Sequence, residues 1–230
     1  MTEEEIQDLV IYRDALILVL NKPYGIPVHK GSGNITSLEP YFEHLKFGLP
    51  KLPSLAHRLD KDTTGCLVLG RHAQPLRELG KLFDQNKISK TYLALVVGRL
   101  PEQSGIITAP IAPLSDKKHH WWVKIDYEKG KESITEYEVI ASNNDFTFVK
   151  LMPKTGRTHQ LRIHMAHLGH HIYGDWIYGN PDYKISVPLH LHASQISIPL
   201  YKNKPSLNIS AELPEHFKNS LDKFSLKNDN

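Results

Sequence analysis

The segment HRLDKDTTG, residues 57–65, constrains the fold of this chain more than any other stretch. Five of its first six side chains are ionisable, and the apolar run CLVL, residues 66–69, follows at once. Such a run indicates a buried strand. A polar cluster that leads directly into a core strand cannot be fully solvated, so some of its charges must be paired. The segment is therefore either a functional loop or an ordinary charged turn.

Length and composition indicate a folded domain with a substantial core, since 230 residues with 40% hydrophobic side chains are typical of globular proteins. The net charge of only +3 permits a nucleic-acid partner without requiring one. We expect a single domain over residues 1–230, with its core at about 8–215 and a disordered tail at 226–230.

The expected compartment is the cytoplasm. A lone cysteine, Cys66, excludes a disulfide framework and a multi-thiolate zinc site, and is typical of a reducing environment. The N-terminal residues MTEEEIQD lack the pattern of a signal peptide. Because no apolar run approaches 18 residues, we expect no membrane association.

Hydrophobic periodicity predicts an α+β fold, a mixed and mostly antiparallel sheet with helices packed on it. The predicted strands cover residues 9–12 and 16–20 as a hairpin, then 66–69, 90–98, 134–141, 146–152, 189–198 and 207–211. One short predicted helix begins at a Ser37 cap. Three further predicted helices cover residues 73–85, 158–168 and 214–224. Leu161, Met165 and Leu168 form the expected apolar stripe of the third helix.

A basic and aromatic segment occupies residues 113–131. It contains Lys117, Lys118, Trp121 and Trp122. Cations interleaved with large aromatic rings suit a surface that follows an RNA backbone and stacks on its bases. The alternative is a simple hairpin with one of the two tryptophans buried.

Two other patterns suggest different chemistry. Five histidines in residues 153–179 raise the possibility of a metal-dependent hydrolase, but the HExxH motif is absent. We therefore expect no metal. Asp60 and Asp62, if they lay in a strand, would be spaced about 6–7 Å apart, near the separation that glycoside hydrolases use.

The arginines favour a third interpretation. A buried carboxylate must find a cation or become protonated. Arg58 lies two residues from Asp60, and Arg162 lies in the second polar segment. If the two segments meet, an arginine would keep Asp60 ionised for nucleophilic chemistry.

The ordered motifs NKPYGIPVH, HRLDKDTTG, KTYLALVVG, GRTHQLRIHMAHLGHHIYGDWIYG and LHA resemble the RluA family of RNA pseudouridine synthases. The resemblance covers about residues 8–215. It implies the pseudouridine synthase catalytic fold and the isomerisation of uridine to pseudouridine in structured RNA, without a cofactor. A few positions depart from the family pattern, among them Thr64 in place of serine and His171 in place of proline.

The resemblance also implies roles for individual residues. Asp60 matches the catalytic aspartate, Tyr92 the tyrosine that stacks on the target base, and Arg162 the basic residue that pairs with the aspartate. Arg58 matches the arginine that fills the gap left by the flipped nucleotide. The remaining candidates are Arg157 and His159 for RNA binding, and Thr64, Gly65 and Ile196 for the pocket.

The expected chemistry needs one ionised carboxylate near the anomeric carbon. Asp60 would attack C1′, add to the base or remove a ribose proton, and the residues do not decide among these routes. The chain resembles the short members without an N-terminal S4-like domain, especially those that modify both rRNA and tRNA. We thus expect a monomer that acts on large-subunit rRNA, tRNA or both, without an obligate protein partner. A non-catalytic RNA-binding protein on the same fold is the alternative.

Overall fold

A computed structural model describes residues 1–30, 36–114, 122–182 and 186–226. The chain divides into two compact units. Unit 1 comprises Met1–Lys90 and Ala193–Leu213, and unit 2 comprises Thr91–His192 and Pro214–Asn230. The divisions fall inside two strands, so strands β5 (Ser89–Val97) and β11 (Leu191–Ile198) each contribute residues to both units.

Unit 1 is built on an antiparallel sheet. Its helical elements are α1 (Glu3–Asp8), a 3-10 helix (Glu39–Leu45) and α2 (Ala73–Asp84). Its strands, besides the shared ones, are β1 (Val10–Arg13), β2 (Ile17–Lys22), β3 (Ser54–Leu55), β4 (Thr64–Gly70) and β12 (Leu207–Ser210). The strand order is β1-β2-β4-β11, with β3 beside β4 and β12 beside β11. Every residue of β4 is buried, as expected of a strand with apolar side chains along its length.

Unit 2 contains a second antiparallel arrangement, in the order β5-β10-β9-β6, and a separate hairpin of β7 and β8. Its remaining strands are β6 (Ser104–Thr108), β7 (Ile111–Pro113), β8 (Val123–Ile125), β9 (Ile134–Ser142) and β10 (Phe146–Pro153). Its helices are α3 (Gln160–His167) and α4 (Glu215–Lys223). Leu161 and Met165 of α3 are buried in one apolar cluster with Val96 and Val149 of the strands.

The predicted fold class is confirmed, because the strand pairs are antiparallel and helices accompany them. Two local predictions within the chain were wrong. Ser37 does not cap a helix; the 3-10 helix begins after Leu38, and the buried Ser37 hydroxyl has no partner among the described residues. Leu168 is 38% exposed, because α3 ends at His167 and Gly169 adopts the left-handed conformation at φ +84°.

The two ends of the chain also differ from expectation. Helix α1 was missed, although Thr2 and Glu5 form a capping box around its first turn. Leu226, which we assigned to a disordered tail, is only 1% exposed. The other residues of that tail, 227–230, lie outside the described residues. Within the described ranges, no helix has the length and apolarity needed to cross a bilayer.

Candidate active site

A buried lysine holds the turn that carries Asp60. Strand β2 ends at Lys22, whose side chain is fully buried. Its Nζ donates hydrogen bonds to the carbonyl oxygens of Pro23, Lys61 and Thr63, at 2.9, 2.8 and 2.9 Å. Because an ammonium group has three N–H donors, the three carbonyls can satisfy it completely. Lys22 thereby joins the end of β2 to the turn just after Asp60.

Lys22 also sets the electrostatics of this turn. Burial lowers the pKa of Lys22 to about 7, although the carboxylates of Asp62 and Asp60 oppose the shift. Those two carboxylates are therefore close enough to Lys22 for their charges to interact.

Asp60 lies outside any strand. The backbone N–H of Thr63 donates to the Asp60 carbonyl oxygen at 3.2 Å, which closes a turn over residues 60–63. Asp60 itself is half-buried. The strand spacing considered for Asp60 and Asp62 does not apply, because Asp60 lies in a turn, and the glycoside hydrolase interpretation loses its basis.

His57, at the start of the motif, has a structural role. Its Nε2 accepts a hydrogen bond from the backbone N–H of Val68 at 3.0 Å, and its ring lies 4.8 Å from that of Phe83. Burial, with a contribution from the charge of Lys90, lowers the pKa of His57 to about 4. The ring is therefore neutral at physiological pH. The next residue, Arg58, is exposed.

The three predicted pocket residues lie on buried strands of unit 1. Thr64 and Gly65 begin β4, and Ile196 of β11 pairs with Ile209. A β-carbon at Gly65 would lie 2.2 Å from the carbonyl oxygen of Ala193, and Gly65 has a φ of +104°. Glycine is therefore required at position 65 for the close approach of the two strands.

Unit 2 contains a buried ion pair on α3. Arg162 donates from Nε and Nη2 to the two carboxylate oxygens of Asp175, both at 2.8 Å. The exposed fractions are 3% for Arg162 and 0% for Asp175. Although burial alone would raise the pKa of Asp175, the hydrogen bonds and charge of Arg162 lower it. The guanidinium of Arg162 is thus held in a fixed orientation.

Aromatic side chains lie beside this ion pair. The Arg162 guanidinium lies 5.4 Å from the centre of the Tyr178 ring, and the Tyr178 hydroxyl is 2.8 Å from Nδ1 of His159. The same hydroxyl accepts from the backbone N–H of Val123, which follows the 40% exposed Trp122. Trp122 in turn contacts Trp176 edge to face, at 6.2 Å.

The other predicted residues are placed as follows. Arg157 is exposed, and its Nε donates to the carbonyl oxygen of Glu132. Tyr92 lies on β5 opposite Leu151, partly buried against the apolar cluster of unit 2. Lys117, Lys118 and Trp121 lie outside the described residues. The structure therefore groups Arg162, His159 and Trp122 around Tyr178 within unit 2.

Comparison with known proteins places the chain in a family. Residues 16–167 match the model of the RNA pseudouridylate synthase family. This chain belongs to that family. The synthase is 38% identical to the dual-specificity RNA pseudouridine synthase RluA of Yersinia pestis, over 83% of this chain and 91% of the relative. It is 36% identical to ribosomal large subunit pseudouridine synthase C of Buchnera aphidicola from Acyrthosiphon pisum, over 92% of this chain and 69% of the relative.

The fold agrees with this assignment. The structure of human RNA pseudouridylate synthase domain containing 4 superposes with a TM-score of 0.81 and 27% identity, covering 97% of this chain and 95% of that one. The predicted resemblance to the RluA family is therefore confirmed, and the chain is an RNA pseudouridine synthase, an isomerase.

The histidines of the synthase have individual roles rather than a shared one. His164 is fully buried, with Nδ1 2.9 Å from the Thr135 hydroxyl and Nε2 3.0 Å from the Ala109 carbonyl oxygen. Nδ1 of His170 is 3.0 Å from the carbonyl oxygen of Val97. Among the residues that the structure describes, no three His, Cys, Asp or Glu side chains are grouped as metal ligands.

Two residues of the synthase site were missed in the sequence. Neither Lys22 nor Asp175 is among the predicted site residues. The signal for Lys22 was a lysine at the end of an apolar strand, directly before a proline. The signal for Asp175 was an acidic residue between glycine and tryptophan, GDW, in a segment otherwise rich in cations.

Proposed function

We propose that this synthase converts specific uridines of a structured RNA to pseudouridine, with large-subunit rRNA, tRNA or both as its substrate. The printed names of two relatives support this choice, since one is a ribosomal large subunit synthase and the other a dual-specificity synthase. The observation that carries the catalytic part is the turn of Asp60, which Lys22 holds by hydrogen bonds to Lys61 and Thr63.

The reaction breaks the bond between N1 and C1′ of the uridine and forms one between C5 and C1′. The C5 hydrogen leaves as a proton, and N1 gains one. Each route open to Asp60, at C1′, at the base or at a ribose proton, requires its carboxylate to be ionised. Lys22 supports the proposal by its hydrogen bonds to the carbonyl oxygens of Lys61 and Thr63, which fix the turn that carries this carboxylate.

Tyr92, Arg162 and Arg58 receive their roles in this proposal from the family resemblance. Tyr92 stacks on the target base, Arg162 keeps the catalytic carboxylate ionised, and Arg58 fills the gap left by the flipped nucleotide. Flipping costs a few kcal/mol, and stacking on a ring offsets about 1–3 kcal/mol of it. The exposure of Arg58 and the fixed guanidinium of Arg162 support these roles.

RNA binding outside the reacting nucleotide is assigned to the surface around Tyr178. Its exposed members are Trp122 and Arg157, with His159 partly buried beside them. Lys117, Lys118 and Trp121 of the same predicted segment belong to this proposal, and Thr64, Gly65 and Ile196 line the pocket in it. We further propose that residues 1–230 act as one catalytic domain, in the cytoplasm, as a monomer that needs no protein partner.

Replacement of the proposed catalytic carboxylate tests this function. We expect Asp60→Asn to abolish release of tritium from RNA labelled at C5 of uridine, while RNA binding persists. Asp62→Asn is the matched control, because it removes a carboxylate two positions away with the same change in charge. Full activity in Asp60→Asn would overturn the assignment. Pseudouridine mapping of total RNA from a strain without the gene would identify the substrate by its missing site.

A further inference from the structure

We propose that Lys90 binds a phosphate group of the substrate RNA. This inference rests on the proposed function for the identity of the anion. Lys90 is the second residue of β5 and lies in unit 1, where its charge acts on the ring of His57. It is partly buried, whereas Lys87 in the turn before β5 is exposed.

Lys90 combines partial burial with the lack of a counter-charge, whereas the other described lysines without an ion pair, Lys22 apart, are exposed. Six lysines of the described chain form ion pairs with carboxylates: Lys46, Lys81, Lys124, Lys150, Lys154 and Lys218. Lys22 satisfies its ammonium with three carbonyls. Within the same described ranges, Lys90 forms neither a hydrogen bond nor an ion pair with another residue.

The neighbouring His57 does not supply the missing charge. Its Nε2 accepts from the Val68 N–H, so the proton of the neutral ring is on Nδ1. A neutral imidazole contributes no negative charge to Lys90. Arg58, the residue after His57, adds a second cation, and it too lacks an ionic partner in the described part of the chain. Neither His57 nor Arg58 therefore supplies Lys90 with a negative charge.

Keeping such a lysine has an energetic cost. Burial lowers the pKa of Lys90, which means that the folded chain disfavours its charged form. Residues that cost stability without an evident structural gain are often functional. A bound anion would remove the cost by pairing with the ammonium. Lysine binds phosphate as a point charge, and each RNA nucleotide supplies one phosphate.

The decisive variant is Lys90→Met, which keeps most of the side-chain length and removes the charge. We expect the dissociation constant for substrate RNA to rise about tenfold, as for the loss of one charge-assisted hydrogen bond. A plot of the logarithm of the RNA association constant against the logarithm of salt concentration should become less steep. Its slope should fall in magnitude by about 0.7–0.9, the value of one phosphate contact. Lys90→Arg should keep the wild-type slope.

A stability measurement on the same variants excludes a structural explanation. Because methionine removes a desolvated charge, Lys90→Met should resist urea at least as well as the wild type. Lys81→Met is the matched control, since Lys81 is exposed and already paired with Glu78 at 3.2 Å. That control should bind RNA like the wild type.

Unchanged affinity and salt slope in Lys90→Met would overturn the inference, as would a loss of stability that accounts for weaker binding. The result is separable from the proposed function. If the wild type modifies RNA and the lysine variant binds normally, only this inference fails. If the wild type forms no pseudouridine but its RNA binding depends on Lys90, only the proposed function fails.

Discussion

Each unit of the synthase contains one fully buried cation beside a proposed catalytic element, and the two are stabilised differently. Arg162 in unit 2 is paired with the carboxylate of Asp175 through two hydrogen bonds of 2.8 Å. Lys22 in unit 1 is bound by three neutral carbonyls, and its nearest carboxylates, Asp60 and Asp62, act on it through space.

The difference shows two ways of satisfying a cation inside a folded domain. A carboxylate that binds an arginine by both oxygens pairs with its charge and fixes its position. Carbonyl dipoles satisfy the donors of a lysine without a counter-charge. Asp175 therefore holds the Arg162 guanidinium in a fixed orientation, while Lys22 holds the turn that carries Asp60.

Removal of Asp175 should produce the largest loss of stability. Asp175→Asn leaves the buried guanidinium of Arg162 without its counter-charge, and we expect unfolding to become easier by about 3–5 kcal/mol. Urea denaturation measures this change. Glu138→Gln is the control, because its pair with Lys150 is largely exposed and should contribute less than about 1 kcal/mol. Equal effects of the two substitutions would contradict the contrast between buried and exposed pairs.

Removal of Lys22 should have a smaller effect on stability but a clear effect on catalysis. Lys22→Met leaves three buried carbonyls unsatisfied, each at a cost of about 1–3 kcal/mol, but it also removes a desolvated charge. We expect a net loss of about 1–3 kcal/mol in urea denaturation and a fall in tritium release, because the Asp60 turn loosens. Lys61→Met is the control, since only the backbone carbonyl of Lys61 binds Lys22. If both variants were equally active, Lys22 would not position Asp60.

The pH dependence of stability gives the most specific test of Lys22. The pKa of folded Lys22 is about 7, whereas an unfolded lysine keeps its proton up to about pH 10.4. Between these values the unfolded state binds more protons, so the stability of the wild type should rise with pH relative to Lys22→Met. Urea denaturation of both proteins from pH 7 to pH 10 tests this. A constant difference would show that the folded pKa is not lowered.

Local signals in the sequence were sufficient for most elements of the fold. The predicted helix at 73–85 is observed as Ala73–Asp84, because a clear apolar stripe defines it. The predicted strand at 90–98 is observed as Ser89–Val97. Both elements owe their structure to neighbours within a few positions, which is why periodicity alone identifies them.

The sequence did not reveal the partners of the two buried cations by any local pattern. Lys22 contacts carbonyls 39 and 41 residues away, and backbone carbonyls leave no mark in a sequence. Asp175 is 13 residues from Arg162, beyond the reach of any helical spacing. Long-range hydrogen bonds, rather than local propensity, determine these positions.

The absence of a side chain at Gly65 also has a consequence for the Asp60 turn. Gly65 lies against the backbone of Ala193, and a β-carbon there would be 2.2 Å from the carbonyl oxygen. If β4 slipped by one residue, Thr64 or Cys66 would place a β-carbon at that point, so only one alignment of the strands is sterically allowed. Asp60 lies five residues before this point. Gly65 thus fixes the strand alignment from which the turn with the proposed catalytic carboxylate begins.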